Sequence, residues 1–340
     1  MVVTRTIRLG ISAMPGPVVG LRLPSTHTQA ILRLSSGYPR VINKSCNREE
    51  TRIVSTTKID GQGRPPRLKP PPKACETHSH IYGTPEEYPH LAGRKPHVEA
   101  TLEAYGTMLA RLGFERGVIV QPSLYGTDNT CTLRSIQQMG LDRARGVAVT
   151  SRDVTPGELQ KLHSQGIRGL RFYLIADDFK AADLAPMANK VAPLGWHIQV
   201  QDDGNWLVDL AATLAKLPVD IVIDHVGRTP AENGINDLNF QALLRLLETG
   251  KLWVKISAPY LQTTAGPPTY ADVGDKVRAL VNVRPDRLVW AANWPHPNFA
   301  PDSKPEEADC LDPLLDWVPD EKIRNAILAD NPAKLYDFPN

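Results

Sequence analysis

Two histidines two residues apart, His78 and His80, close the stretch Cys75-Glu76-Thr77-His78-Ser79-His80. Side chains alternate along a strand, so both imidazoles point the same way, with Glu76 one step below them. Such a pair can ligate a metal, with His225 or His197 as a further nitrogen donor; zinc asks for about three protein ligands plus water. It can equally hydrogen-bond a substrate carbonyl with no metal present. Imidazole titrates near neutral pH, so His78, His80 or His225 could also act as general base. Glu76 is expected to sit behind the pair and fix a histidine tautomer.

A second set of residues carries positive charge. Arg171 lies in Arg168-Gly169-Leu170-Arg171-Phe172, and Arg228 stands three residues after His225 in Val222-Ile223-Asp224-His225-Val226-Gly227-Arg228. A guanidinium presents a rigid fork that fits a carboxylate, which points to a small carboxylated substrate. Asp224 has the opposite parity to His225 and is read as a structural carboxylate. Ser123, Tyr125, Tyr173 and His197 fall at or near the ends of apolar runs and are expected to contact substrate. Near the C-terminus an apolar run enters Ala292-Asn293-Trp294-Pro295-His296-Pro297. Asn293 can orient a water but cannot take its proton at neutral pH.

The segments around His78 and His80, from Val222 to Arg228 and around Asn293, in this order, resemble the amidohydrolase-2 family of the amidohydrolase superfamily, and in particular its 2-pyrone-4,6-dicarboxylate lactonases. The resemblance runs from about Ala74 to the C-terminus. It implies a (β/α)8 barrel, a lactone substrate, a His-X-His pair that works with zinc or without a metal, and a carboxylate-reading role for Arg171 and Arg228. Tyr125-Gly126-Thr127-Asp128-Asn129 resembles the family's Gly-Thr-Asp-Asn loop. Two departures stand out. Most relatives carry Asp at the position of Asn293, where it serves as the base toward water. A further arginine expected after the seventh strand is replaced by Pro259-Tyr260-Leu261-Gln262.

The elements that must position these residues alternate in type. Strands are expected near 74–80, 116–122, 146–149, 167–174, 196–201, 219–224, 252–257 and 288–292. Helices are expected over 99–112, stopped by Gly113, and over 155–164, where Thr155-Pro156-Gly157-Glu158 is an N-terminal signal. Eight such alternations argue for a parallel α/β barrel with its site at the C-terminal ends of the strands. A doubly wound open sheet lacks the expected Gly-rich opening.

Length and composition agree. The chain has 340 residues, 41% of them apolar, and a net charge of +2, so no polyanionic partner is indicated and neither nucleic-acid nor membrane binding is expected. Four widely spaced cysteines, Cys46, Cys75, Cys131 and Cys310, read as reduced thiols of a cytoplasmic protein. Residues 1–70 differ: no acidic residue precedes Glu49, and arginine and serine are frequent. This is expected to be a poorly ordered, dispensable extension, or a mitochondrial targeting segment, ending in the stiff run Arg64-Pro65-Pro66-Arg67-Leu68-Lys69-Pro70-Pro71-Pro72. The barrel is expected over 71–340. The overall reading is a hydrolase of a small carboxylated lactone. Decarboxylation, lactone isomerisation or non-hydrolytic ligand binding on the same scaffold are the alternatives. The oligomeric state is not legible.

Overall fold

Short β-branched runs bounded by Gly, Asn and Asp form the strands, and amphipathic runs between them form the helices. The computed structural model describes residues 57–59, 61–94, 96, 98–174, 180–201 and 203–339. Its centre is eight parallel strands: β1 (Cys75–Ser79), β2 (Arg116–Val120), β3 (Ala144–Ala148), β4 (Ile167–Tyr173), β5 (His197–Gln201), β6 (Ile221–Ile223), β7 (Leu252–Ser257) and β8 (Leu288–Ala291). They pair in chain order. Just past the ends of β8 and β1, His80 donates its backbone N–H to Trp294 (2.8 Å) and Asn293 donates to the His78 carbonyl (2.9 Å). The barrel therefore closes at the place where the histidine pair stands, and the expected α/β barrel is the fold.

Local signals set the helix ends. Thr155 and Glu158 form a reciprocal capping box at the start of the helix Pro156–Ser164. The helix expected from residue 99 begins instead at Leu102 (α1, Leu102–Leu112), with Thr101 capping it and Gly113 ending it in the left-handed region (φ 85°). Val98–Ala100 is a short strand paired with Thr57–Ile59, and Ala100 also exchanges backbone hydrogen bonds with Tyr82. Those backbone groups are committed to a ladder, so the helix cannot reach back over them.

The N-terminal end of the barrel is plugged by the chain's own C-terminus. Tyr336 and Phe338 pack on Cys75, Val118, Val120 and Val147, and Leu335 on Val222, Trp253 and Val289. Arg116 and Arg145 flank the Phe338 ring at 5.0 and 4.7 Å from its centroid. The proline-rich run is no free linker. Leu68 is buried, the backbone N–H groups of Arg67 and Leu68 donate to Asp312 Oδ1 at 2.7 and 3.0 Å, and Arg64 pairs with Asp309. The expected boundary near residue 70 thus cuts through packed chain. The targeting reading falls on residues 1–56, outside those described. Among the described residues no helix is long and apolar enough to cross a membrane.

Candidate active site

At the C-terminal end of the barrel the histidines are aimed by an irregularity in β1. The register to β2 shifts between Glu76 and Ser79. Glu76 consequently points outward, where Oε1 accepts from the backbone N–H groups of His78 and Ala292 (both 2.9 Å) and Oε2 accepts from Ser79 Oγ (2.7 Å) and Tyr105 Oη (2.9 Å). It touches no imidazole. The expected tautomer-fixing role is therefore corrected: Glu76 bolts β1 to β8, and burial pushes its carboxyl up despite those donors.

The residue that does meet a histidine is Asp224. Its Oδ1 lies 3.2 Å from His78 Nδ1 and 3.4 Å from Lys255 Nζ, and its Oδ2 accepts from Gln199 Nε2 (3.0 Å). Lys255 donates to the Thr77 carbonyl (2.9 Å) and to Gln199 Oε1 (2.8 Å), and its ammonium is 3.3 Å from His78 Nδ1. A lysine on one side and a carboxylate on the other fix the orientation of the Gln199 amide. The side chains of His78, Asp224 and Lys255 are fully buried. Burial, opposed by the Asp224 charge, brings the Lys255 ammonium down to about 8. Burial and the Lys255 charge hold His78 neutral, well below its ordinary range.

Parity misjudged Asp224 because β6 ends at Ile223. Asp224 shares its inward side with Val222, and His225 is turned in afterwards by left-handed backbone at His225 (φ 54°) and Val226 (φ 53°). Strain of this kind persists where the surroundings over-determine it. His225 Nδ1 lies 2.8 Å from Ser257 Oγ, its carbonyl accepts from Gln262 Nε2, and burial holds the ring well below its ordinary range.

The mouth of the barrel is lined by His80, Ser123, Arg171, Tyr173, Gln201 and Asn293, among others. His80 Nδ1 faces the Val120 carbonyl at 2.8 Å, so that nitrogen carries the proton and Nε2 is a bare lone pair. Burial and Arg171 push the ring down to about 3. A neutral ring in this tautomer accepts and cannot donate, which corrects the expectation that it polarises a carbonyl. Arg171 is 5% exposed and lies over the Tyr173 ring. It donates to the Gln121 carbonyl (2.8 Å) and to Gln201 Oε1 (2.6 Å), while its Nε has no partner. Among the described residues no carboxylate lies within 4.0 Å of it.

The remaining expected residues scatter. Tyr125 is buried and accepts from the Gly83 backbone N–H, among Tyr88 and His90 rather than at the mouth. His197 opens β5 at the plugged end, edge-on to Tyr336, and is pushed down to about 3 by burial; the substrate-contact reading of it is corrected. Arg228 is half-buried on the turn after His225.

One group of donors among the described residues could hold a metal ion, namely His78, Asp224 and His225, with one ligand atom each within 4.8 Å of the others. The set therefore differs from the expected His78 and His80. As arranged it fits a divalent ion poorly. On the Nδ1 side of His78, where Asp224 lies, the Lys255 ammonium already stands. On the Nε2 side, which is buried and without a partner, Asp224 is behind the ring.

The model of the amidohydrolase family matches residues 75–338. The chain belongs to the amidohydrolase family. The 2-pyrone-4,6-dicarboxylate hydrolase of Comamonas testosteroni is 32% identical to this amidohydrolase, over 80% of this chain and 92% of that protein. The D-galactarolactone isomerase of Agrobacterium fabrum is 30% identical over 81% and 94% of the two chains. A crystal structure of a probable 2-pyrone-4,6-dicarboxylic acid hydrolase from Acinetobacter baumannii, with citric acid bound, superposes with a TM-score of 0.66 at 30% identity, covering 78% of this chain and all of the other.

In this amidohydrolase Lys255 and Gln199 are marked by the sequence as polar residues near the ends of apolar strands, with no role assigned, and Tyr260 only as part of the segment that replaces an arginine. Lys255 had a signal: it interrupts the apolar run Leu252-Trp253-Val254-Lys255-Ile256-Ser257 at the same parity as Trp253, which faces the barrel interior. A fully buried lysine in such a run needs a buried anion, and Asp224 is that anion.

Proposed function

We propose that this amidohydrolase opens a small lactone that carries a carboxylate, by attack of water on the lactone carbonyl. The carrying observation is Arg171, a buried guanidinium with an unpartnered Nε and, among the described residues, no carboxylate within 4.0 Å, the charge of Asp224 reaching it only from farther off. A buried cation without a paired anion is costly unless a ligand supplies one. Substrate carboxylate on Arg171 is that anion, and Ser123 and Tyr173 share the same mouth. Arg228 is assigned a second anionic contact, supported by its place beside His225.

His80 Nε2 is the proton acceptor. Arg171 opposes its protonation. A carboxylate bound to Arg171 cancels that repulsion, so the substrate itself raises the basicity of His80. Water adds its oxygen to the carbonyl carbon while one proton passes to His80 Nε2. The ring C–O bond then breaks, and the departing oxygen takes the proton back. Ring opening yields one new carboxylic acid and one hydroxyl or enol. His78, Asp224, Lys255 and Gln199 form the rigid floor beneath this chemistry, and no step requires a metal.

Isomerisation is the second reading. It is favoured by Asn293, which cannot accept a proton from water, and by the likeness to a lactone isomerase. A lactone panel turned over in H₂¹⁸O separates the two. Hydrolysis places one ¹⁸O in the new carboxylate; an unlabelled isomeric lactone as product would overturn the hydrolytic reading.

A further inference from the structure

Behind Asn293 runs a chain of hydrogen bonds that ends on a buried carboxylate. Asn293 Nδ2 is 2.9 Å from Tyr260 Oη, Tyr260 Oη is 2.8 Å from His296 Nδ1, and His296 Nε2 is 3.1 Å from Glu307 Oε1. Glu307 and His296 are fully buried. Glu307 also pairs with Lys304 (2.9 Å) and with Arg111 (2.5 Å). Burial alone would raise its carboxyl, but the His296 hydrogen bond and the neighbouring cations hold it well below the usual range.

A carboxylate only accepts, so His296 Nε2 carries a proton. Its Nδ1 faces Tyr260 Oη, and that oxygen accepts from Asn293 Nδ2, the NH₂ end of the amide. The Asn293 Oδ1 atom is therefore the end turned to the mouth, in the cavity that also contains His80 and Arg171. We propose that Glu307, His296 and Tyr260 are positioning residues that hold the Asn293 amide oxygen in the mouth as a fixed acceptor for the attacking water. This rests on the hydrolytic reading above. A water that donates one hydrogen to Asn293 Oδ1 and the other to His80 Nε2 has its lone pair left for the carbonyl carbon. The asparagine supplies orientation and the histidine takes the proton.

The relay is read without turnover by NMR of full-length protein labelled with ¹⁵N at asparagine and histidine. The expected spectrum has a proton on His296 Nε2 and one slowly exchanging Asn293 Nδ2 proton. In Tyr260→Phe that proton should exchange fast, and kcat on the best lactone should fall about ten- to a hundredfold at unchanged KM, since misplacing a reactant by about 1 Å costs that much. Asn293→Asp is the second variant. An aspartate cannot donate to Tyr260, so the tyrosine hydroxyl must turn and the His296 Nδ1 resonance should shift. No proton on His296 Nε2 in the native protein, an Asn293 signal indifferent to Tyr260→Phe, or a His296 Nδ1 resonance unmoved in Asn293→Asp would each overturn the relay. A changed Asn293 signal with unchanged kcat would overturn its positioning role. If no lactone is turned over at all, the hydrolytic reading fails while the NMR still decides the relay.

Discussion

Four imidazoles, His78, His80, His197 and His225, are buried and held neutral, His80 and His197 down to about 3 and the other two well below their ordinary range. In the unfolded chain each would take up a proton as the pH falls through about 6.5. Below that pH the unfolded state binds more protons than the fold, so stability is fully present above pH 6.5 and is lost as acid is added. Between pH 7.5 and 5.5 an imidazole held down to about 3 forfeits roughly 1–2 kcal/mol. His80 and His197 together give roughly 3 kcal/mol, and His78 and His225 add in the same direction, against a total of roughly 5–15 kcal/mol for a typical domain. Lys255, at about 8, is charged in both states over most of this range and adds little slope. Glu307 and Asp272 are held down and matter only in stronger acid. Urea denaturation followed by tryptophan fluorescence at pH 7.5, 6.5 and 5.5, at fixed ionic strength, measures the loss. His80→Gln should flatten the slope by one histidine's share. A stability unchanged from pH 7.5 to 5.5 would refute the buried, neutral cluster.

Arg171→Met should raise KM for a carboxylated lactone about ten- to a hundredfold, the worth of a charge-assisted hydrogen bond, with the melting temperature shifted by only a few degrees, because it removes a buried charge that has no carboxylate partner. Equal KM with a collapsed melting temperature would make this arginine structural. His80→Gln should lower kcat by about 10²–10⁴-fold while leaving KM within a few-fold, read by steady-state kinetics; a KM effect alone would remove His80 as base. Lys255→Met strands the Asp224 carboxylate and should cost about 3–5 kcal/mol in urea denaturation, which a second change, Asp224→Asn, should largely restore. A chain begun at Val54 should melt like the full chain, and one begun at Lys69 should melt several degrees lower, since it loses the buried Leu68 and the donors to Asp312.

The order of strands, the closed parallel barrel and the residues at its mouth were legible because each rests on local pattern. An apolar run ending in a polar residue marks a strand end, and eight of them in alternation with helices leave little but a barrel. His80, Arg171 and Asn293 at the mouth, and His78 beneath them, were picked out in this way. What failed were arguments that carried period-two parity through places where the backbone departs from it. The shift in β1 turned Glu76 outward, and the left-handed residues after β6 brought Asp224 and His225 to the same interior. His197 failed for another reason: it faces the interior but stands at the wrong end of its strand, against Tyr336, which is 139 residues away in the chain.

The sequence by itself determined which chemistry is available here: acceptor imidazoles, a guanidinium for an anion, and an amide where a carboxylate would take a proton. Only the tertiary structure decided how these groups are protonated and which way they face. The His80 tautomer follows from a carbonyl on β2, the neutrality of His78 from burial beside a lysine on β7, and the orientation of Asn293 from a carboxylate reached through Tyr260 and His296. Hydrogen-bond direction and desolvation depend on partners brought together across the barrel, and spacing along one chain does not encode them.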